Sequence, residues 1–504
     1  MDTNRSDDNI VAAATAPGKG AIGIVRMSGD SSFTIAAAII KKKVVKERAM
    51  RICNFYAPDG EKLDQGVALF FPAPNSFSGE DMVELHAHGN PLILDGIVAA
   101  AVAAGARHAQ AGEFSRRAYK NAKIDLAQAE SIADVINSDT EIALRAAMKS
   151  LSGEFSKRVS DLNELVMQLR VYVEAALDFP TEEIDLLKDK ECARKTAAII
   201  SGLEVVLEQS RQGVLVQEEL GIVIIGKPNA GKSSLMNLLC RNDRAIVSED
   251  AGTTRDFLCE KINIQGMSVS LTDTAGIRAP QSSVEKEGIE RSWQQAQLSD
   301  IIICIYDALE DAPDFEEVAK LMHQHGASSS HDGKSSRRAS ATTTIGRDNS
   351  LGALGIADIV SHLAAQSVLN KTIFIANKID LLDAAKLAAI KRNSNDKVAQ
   401  AVADCILLST KTGTGMQPLM DAIVTKSGKK GAAPLFSARK RHIESLDKAL
   451  GAVQNGYAQL LDNGAGELFA EDLRQATGCL DEILGKTTTD DLLDRIFSEF
   501  CLGK

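Results

Sequence analysis

Gly226-Lys227-Pro228-Asn229-Ala230-Gly231-Lys232-Ser233 fits the spacing G-x-x-x-x-G-K-[ST] of a phosphate-binding loop. The apolar run Gly221-Ile222-Val223-Ile224-Ile225 before it reads as a buried strand, and Ser234-Leu235-Met236-Asn237-Leu238-Leu239 after it reads as a helix start. Strand, glycine loop and helix together give the motif its mechanism. Backbone N–H groups and a helix N-terminus face phosphate oxygens. Lys232 would reach the β and γ phosphates, and Ser233 would ligate Mg²⁺.

Four further features follow in order. Gly252-Thr253-Thr254-Arg255-Asp256 offers a threonine hydroxyl to Mg²⁺ when a switch closes. Asp273-Thr274-Ala275-Gly276 follows the alternating strand Met267–Leu271, which would deliver Asp273 to the metal's outer ligands and the Gly276 N–H to the γ-phosphate. Asn377-Lys378-Ile379-Asp380 follows the strand Thr372–Ala376. Its aspartate can accept two hydrogen bonds from the N1–H and N2 amine of guanine, a paired donor edge that adenine lacks, so the expectation is GTP. Ser409-Thr410-Lys411, after Ile406-Leu407-Leu408, falls where a loop would back the base. Each short motif is weak alone, but their order beside suitable elements is not.

The hydrolytic apparatus departs from the Ras pattern. Ile277 follows Gly276, where a Ras-like switch carries its water-positioning Gln. Arg278 and the carboxylates Glu285, Glu287 and Glu290 remain open as replacements. Charge at the β/γ bridge can be met by a monovalent cation on the neutral oxygen donor Asn229, or by Arg255 as an arginine finger.

At 504 residues the chain is too long for one core and suggests about three domains. Residues 1–123 read as a mixed α/β unit, with strands near 21–27, 66–71 and 81–88 and a helix opened by Pro91. Residues 124–215 carry a 3.6-residue apolar period through Leu126, Ala129, Ile132, Ala133, Leu151, Leu162, Leu165 and Leu169, which predicts long helices. Residues 216–425 form the P-loop domain, and 426–504 are helical again, with a helix start at Thr489. Within the P-loop domain, 326–350 is Ser/Thr-rich and almost without bulky apolar side chains, so it is expected to be a disordered insertion. No stretch suits a membrane span, and the acidic, polar N-terminus does not read as a targeting peptide. The eight Cys lack metal-ligand spacing and fit reduced thiols in a cytoplasmic protein. The net charge of −11 argues against wholesale wrapping of nucleic acid, though not against a local patch. Two basic runs are candidates: Lys41-Lys42-Lys43 with Lys46 and Arg48, and Arg439-Lys440-Arg441.

With these residues in hand, nearly the whole chain resembles the MnmE (TrmE) family of tRNA modification GTPases. The most specific pieces are Pro74-Asn75-Ser76-Phe77-Ser78-Gly79-Glu80-Asp81, Leu126-Ala127-Gln128-Ala129-Glu130, the P-loop, Gly252–Asp256 and the terminal Cys501-Leu502-Gly503-Lys504. The resemblance implies a multidomain α/β and all-α protein. It would have an N-terminal α/β folate-binding and dimerisation domain, a discontinuous helical domain and an inserted Ras-like P-loop GTPase domain. It implies a homodimer working with the flavoprotein MnmG, which carries FAD, to modify carbon 5 of the tRNA wobble uridine with a folate-derived one-carbon unit.

Carried over by position, the resemblance assigns Arg26, Glu84 and Lys123 to 5-formyltetrahydrofolate or a related folate. Asn229, Ser248, Asp250 and Thr253 would bind K⁺, and Ser233 and Thr254 would bind Mg²⁺. Glu285 would orient the hydrolytic water, with Lys232 as the second catalytic group. The GTP-binding set adds Ala230, Gly231, Ser234, Asp273, Thr274, Ala275, Gly276, Asn377, Lys378, Asp380, Ser409, Thr410 and Lys411. There are departures: Thr410 stands where the family has Ala, Leu502 where it often has Ile, and the Ser-rich insertion is long. A regulatory GTPase that modifies nothing is the rival reading, and the first 123 residues are what separates the two.

Overall fold

The computed structural model describes residues 8–178, 190–217, 219–227, 229–242, 259–273, 297–309, 359, 363, 368–383, 405–428, 435–487, 489–498, 500, 501 and 503. They fall into two compact units. One contains Met1–Ser138, Arg145–Val214 and Leu435–Lys504; the other contains Asp139–Leu144 and Leu215–Pro434. The Ser-rich segment 326–350 lies outside the described residues.

The first unit begins with a six-stranded sheet. Its strands are β1 (Asn9–Ala13), β2 (Gly20–Ser28), β3 (Ala49–Tyr56), β4 (Lys62–Phe71), β5 (Met82–Gly89) and β6 (Ala106–His108), in the order β3-β4-β5-β2-β1-β6. Along β2 and β5 buried and half-buried positions alternate, so each strand sends one set of side chains to each face. Val25, Met27, Val83, Leu85, Ala68, Phe70 and Phe55 face a core shared with helices α1 (Ser32–Ile40) and α2 (Pro91–Ala103). Pro91 sits in the first turn of α2 as expected, and the Asn90 side chain caps it by accepting from Leu92 N–H. The opposite face carries Arg26, Glu84 and His86, with Met50 and Ile52 exposed on the edge strand β3.

Helix α3 (Glu113–Lys120) leads into the helical part: α4 (Leu126–Asn137), α5 (Glu141–Leu151), α6 (Glu154–Asp178) and α7 (Lys190–Gln217). Asp125 and Gln128 form a reciprocal capping box that starts α4. In the second unit the described helices are α8 (Lys232–Asn242) and α9 (Met416–Lys426). The first unit resumes with α10 (Lys440–Asn463), α11 (Gly466–Leu484) and α12 (Asp490–Ser498). The predicted apolar stripe divides: Leu162 and Leu169, with Val166 and Val173 of α6, pack with Leu203, Leu446, Val453, Leu473 and Leu480 in the bundle core, while Leu126, Ala129 and Ala133 pack in a separate cluster with α12, and Leu165 is exposed. Segments separated by more than 200 residues thus share one core.

The second unit holds another six-stranded sheet. Its strands are β7 (Leu220–Ile225), β8 (Cys259–Ile264), β9 (Met267–Asp273), β10 (Ile301–Asp307), β11 (Thr372–Asn377) and β12 (Cys405–Leu407), in the order β12-β11-β10-β7-β9-β8. All described pairings are parallel except β8 with β9. β10 and β11 are buried at every position, in keeping with the apolar runs Ile301–Tyr306 and Ile373–Ala376. From β7 the sheet extends to β9 on one side and β10 on the other. The loop after β7 therefore opens at the carboxyl ends of the strands where the order switches, the usual ligand crevice of such sheets.

Candidate functional site

The P-loop begins where β7 ends. Gly226 has φ +154°, and a Cβ there would meet the Ile305 carbonyl oxygen at 2.1 Å, so the chain can turn this close to β10 only without a side chain. At Gly231, φ is +103° and a Cβ would lie 2.2 Å from Asn377 Nδ2. The Gly231 carbonyl accepts from Leu235 N–H at 2.8 Å as α8 starts. Lys232 Nζ donates to the carbonyls of Gly226 and Lys227, each at 2.8 Å, which keeps the ammonium over its own loop. Ser233 and Ser234 are exposed on the first turn of α8. Asn229 is exposed with φ +64°.

The base loop is tied to this element through buried polar groups. Asn377 Nδ2 donates to the Ala230 carbonyl at 2.8 Å and to Thr410 Oγ1 at 3.3 Å. Thr410 N–H donates back to Asn377 Oδ1 at 3.1 Å. The β-branched residue at 410 is thus accommodated, half-buried and hydrogen-bonded. Ser409, fully buried, donates its hydroxyl to Asp380 Oδ1 at 2.7 Å and accepts from Thr412 N–H, fixing the orientation of an exposed carboxylate. Lys378 Nζ pairs with Asp307 Oδ2 at 2.6 Å, so the end of β10 holds the loop's lysine. Lys411 is exposed. Asp307 was not picked out in the sequence; its signal is its place at the end of an apolar strand.

Asp273 closes β9, but its side chain lies outside the described residues. Ser248, Asp250, Thr253, Thr254, Thr274, Ala275, Gly276 and Glu285 lie outside them too, as do the rivals Arg255, Arg278, Glu287 and Glu290. Among the described residues no group of three or more His, Cys, Asp or Glu is arranged to hold a metal ion. A P-loop site draws on hydroxyls and backbone instead. No described helix is long and apolar enough to cross a membrane.

A second polar centre lies on the face of the first sheet opposite α1 and α2, beside Phe114 of α3. Arg26 and Glu84 are directly opposed across β2 and β5. Arg26 Nε and Nη2 both donate to Glu84 Oε1, at 2.9 and 2.8 Å, and His86 Nε2 meets Oε2 at 3.2 Å. The guanidinium lies 5.6 and 5.7 Å from the ring centres of Phe77 and Phe114, and Nη1 donates to the Gly503 carbonyl at 3.4 Å. Lys123 does not touch this pair. It donates to the Pro74 carbonyl at 3.1 Å, on the same loop that carries Phe77. That loop is held by Ser28, which accepts from Ser78 and donates to Glu80, and by the buried Arg117, which binds Glu80 at 3.0 Å and Glu113 at 3.0 Å. Burial raises the Glu113 carboxyl, but hydrogen bonds from Arg107, Gln110 N–H and Arg117 outweigh it and hold the group below the usual range. His86 was missed in the sequence, although the alternation of β5 puts it on the same face as Glu84.

The basic run at 439–441 is not a surface patch. Arg439 pairs with Asp134 at 3.0 Å. Arg441 grips Glu130 through Nε at 2.7 Å and Nη2 at 2.6 Å, and His442 Nε2 bonds the same carboxylate at 2.8 Å. Glu130 and His442 are almost wholly buried. Burial raises the Glu130 carboxyl, but His442 and Arg441 overcome this and hold it well below the usual range. Arg439 and Arg441 lock α4 to the start of α10, and a charge run cannot reveal which way its side chains turn.

Comparison with known proteins places the chain in a family. The family model described as the MnmE helical domain matches residues 126–501, and that of the GTP-binding protein TrmE N-terminus matches 9–123. The chain belongs to the MnmE/TrmE family. The relatives of this MnmE-family chain include the tRNA modification GTPase MnmE of Legionella pneumophila (strain Corby), 41% identical over 500 residues and covering 99% of this chain and 100% of that one. Those of Hydrogenovibrio crunogenus (strain DSM 25203 / XCL-2), 41% identical, and Coxiella burnetii (strain Dugway 5J108-111), 39% identical, each cover 99% of both chains. With its P-loop and base loop on a mainly parallel sheet, this MnmE-family chain is a GTP hydrolase.

Proposed function

We propose that this chain is a K⁺-stimulated GTPase that, with the flavoprotein MnmG, takes part in modifying carbon 5 of the tRNA wobble uridine. A folate-derived one-carbon unit would be held by Arg26, Glu84 and Lys123. The observation that carries this reading is the Arg26–Glu84 pair on the sheet face opposite α1 and α2, beside two aromatic rings and the Gly503 carbonyl. A folate presents a flat ring with N–H donors and a carboxylate tail, and a carboxylate, cations and aromatic faces match those groups. Met50 and Ile52 lie on the same face, an apolar surface suited to a second copy of the chain.

In the second unit, Asp380, oriented by Ser409, selects guanine, while the P-loop amides and Lys232 bind phosphate. The exposed Ser233 at the start of α8 fits a Mg²⁺ ligand, with Thr254 as its companion. Asn229 fits K⁺, with Ser248, Asp250 and Thr253 completing the set. Positive charge there would offset the charge that develops at the β/γ bridge. Glu285 orients the attacking water, replacing the Gln that Ile277 displaces.

Calorimetric titration with 5-formyltetrahydrofolate tests the first site. Binding by the wild type, weakened at least tenfold in Arg26→Gln, is expected, on the scale of a lost charge-assisted hydrogen bond. No binding by the wild type would overturn the folate reading and leave a GTPase whose N-terminal unit serves another purpose. Hydrolysis in KCl should exceed that in NaCl at equal ionic strength; equal rates would remove K⁺ from the reading.

A further inference from the structure

Two basic runs stand out in the sequence, and the structure treats them oppositely. Arg439 and Arg441 are consumed by Asp134 and Glu130. The run between α1 and β3 is turned outward: Lys41, Lys42, Lys43, Lys46 and Arg48 are all exposed. Lys46 reaches Asp81, and the nearby Arg51 reaches Glu47. Lys41, Lys42, Lys43 and Arg48 have no carboxylate partner among the described residues. Two of these are braced by aromatic rings: Lys41 Nζ lies 4.6 Å from the centre of Tyr56, and the Arg48 guanidinium 5.7 Å from that of Phe71. Bracing reduces the entropy lost when the cations meet a ligand.

Acidic groups near this surface are few. Glu47 is engaged by Arg51, Asp81 is buried beneath Lys46, and Asp59 and Glu61 lie at the β3–β4 turn, where Lys41 reaches the Gly60 carbonyl. On a chain of net charge −11, this concentration of exposed cations makes a local positive field that attracts anionic ligands.

We propose that the exposed cations between α1 and β3 form a contact surface for RNA phosphates. The choice of RNA among polyanions rests on the tRNA reading above. The spacing suits a backbone: several separate point charges on one short connection, with no buried polar pocket to enclose a single phosphate. Such contacts position an RNA and carry no sequence information.

The test uses the full chain and a fluorescently labelled tRNA transcript, with Lys42→Gln/Lys43→Gln/Arg48→Gln as the variant. Glutamine keeps two methylenes of each stem and a polar end, and removes the charge. If all three residues meet phosphates, the slope of log affinity against log salt falls by about 2.7, which over a fourfold salt step is roughly a 40-fold difference in affinity lost. Melting temperature and GTP turnover should match the wild type. Equal tRNA affinity and salt slope in wild type and variant would overturn the proposal and leave the tRNA reading intact. A wild type that does not bind tRNA would overturn both. Loss of binding to phosphatidylserine vesicles with tRNA binding unchanged would assign the surface to a membrane and overturn it as well.

Discussion

Asn377 is the most heavily used side chain of the base loop, and its removal has a cost that can be worked from the geometry. Asn377→Ala takes away the bond to the Ala230 carbonyl at 2.8 Å, the long bond to Thr410 Oγ1 at 3.3 Å and the acceptor of Thr410 N–H at 3.1 Å. Ala230 is 2% exposed and Asn377 1%, so a carbonyl and an amide lose partners in a largely dry place. An orphaned buried group costs about 1–3 kcal/mol, and the N–H of half-buried Thr410 stands at the low end of that range, so the P-loop and base loop lose roughly 2–4 kcal/mol of mutual anchoring. Expressed in bound nucleotide, that is about a 30-fold to 10³-fold weaker hold on GDP. Thr410→Val removes only the 3.3 Å contact and keeps the shape, so about 0.5 kcal/mol, or roughly twofold, is expected. Stopped-flow release of a fluorescent GDP analogue measures both variants. Release from Asn377→Ala within threefold of wild type, or an equal effect in Thr410→Val, would refute the view that Asn377 joins the two loops.

Other consequences follow from the same contacts. Ser409→Ala frees the Asp380 carboxylate and should weaken GTP binding about tenfold, the scale of a hydrogen bond to a charged group, with no gain in ATP binding; nucleotide titrations decide. Glu130→Ala leaves Arg441 and His442 buried without their carboxylate and should cost the helical part about 3–5 kcal/mol, read as earlier urea unfolding. His442 accepts from Arg439 N–H on Nδ1 and donates from Nε2 to Glu130, so its neutral form fits, and burial and the Arg441 charge push its pKa down. Because the folded value lies below the unfolded one, the unfolded chain takes up the proton first. The stability contributed is therefore full above about pH 6.5 and falls below it, by at most about 1.4 kcal/mol per pH unit. Amide-exchange protection of α10 should fall accordingly between about pH 7.5 and 5.5, and His442→Gln should flatten that fall.

The nucleotide unit was legible in the sequence because its chemistry is local. Lys232, Ser233, Asn377, Asp380 and Ser409 sit at the ends of apolar strands, and a strand end fixes where its loop opens. Ile301–Asp307 was not singled out, although it is the neighbour of β7 and carries Asp307 to Lys378. A fully buried parallel strand has no alternation, and short apolar runs do not distinguish strand from buried helix. The orientation of Arg439 and Arg441 was equally hidden. Their partners stand about 300 positions earlier, on a helix whose sequence shows Glu130 and Asp134 as ordinary polar residues of an amphipathic pattern.

The N-terminal site shows the same limit in its strongest form. Arg26 looks like surface at a strand end when only its neighbours are known. Its partners are Glu84, 58 positions on, and Gly503, 477 positions on. The contact with Gly503 accompanies the binding of the last helix to α3 and α4: Leu493, Ile496 and Phe497 of α12 pack with Leu126, Ala129 and Ala133 of α4, and Arg116 of α3 pairs with Asp494 at 2.7 Å. Beyond α12, the Gly112 N–H reaches the Cys501 carbonyl at 3.5 Å. The tail is therefore placed by packing that precedes it, and the Arg26 guanidinium reads that placement through a backbone carbonyl, which no side-chain motif encodes. A motif at the end of a chain can thus complete a centre built at its beginning, and a shift of α12 against α4 would be felt at the Arg26–Glu84 pair.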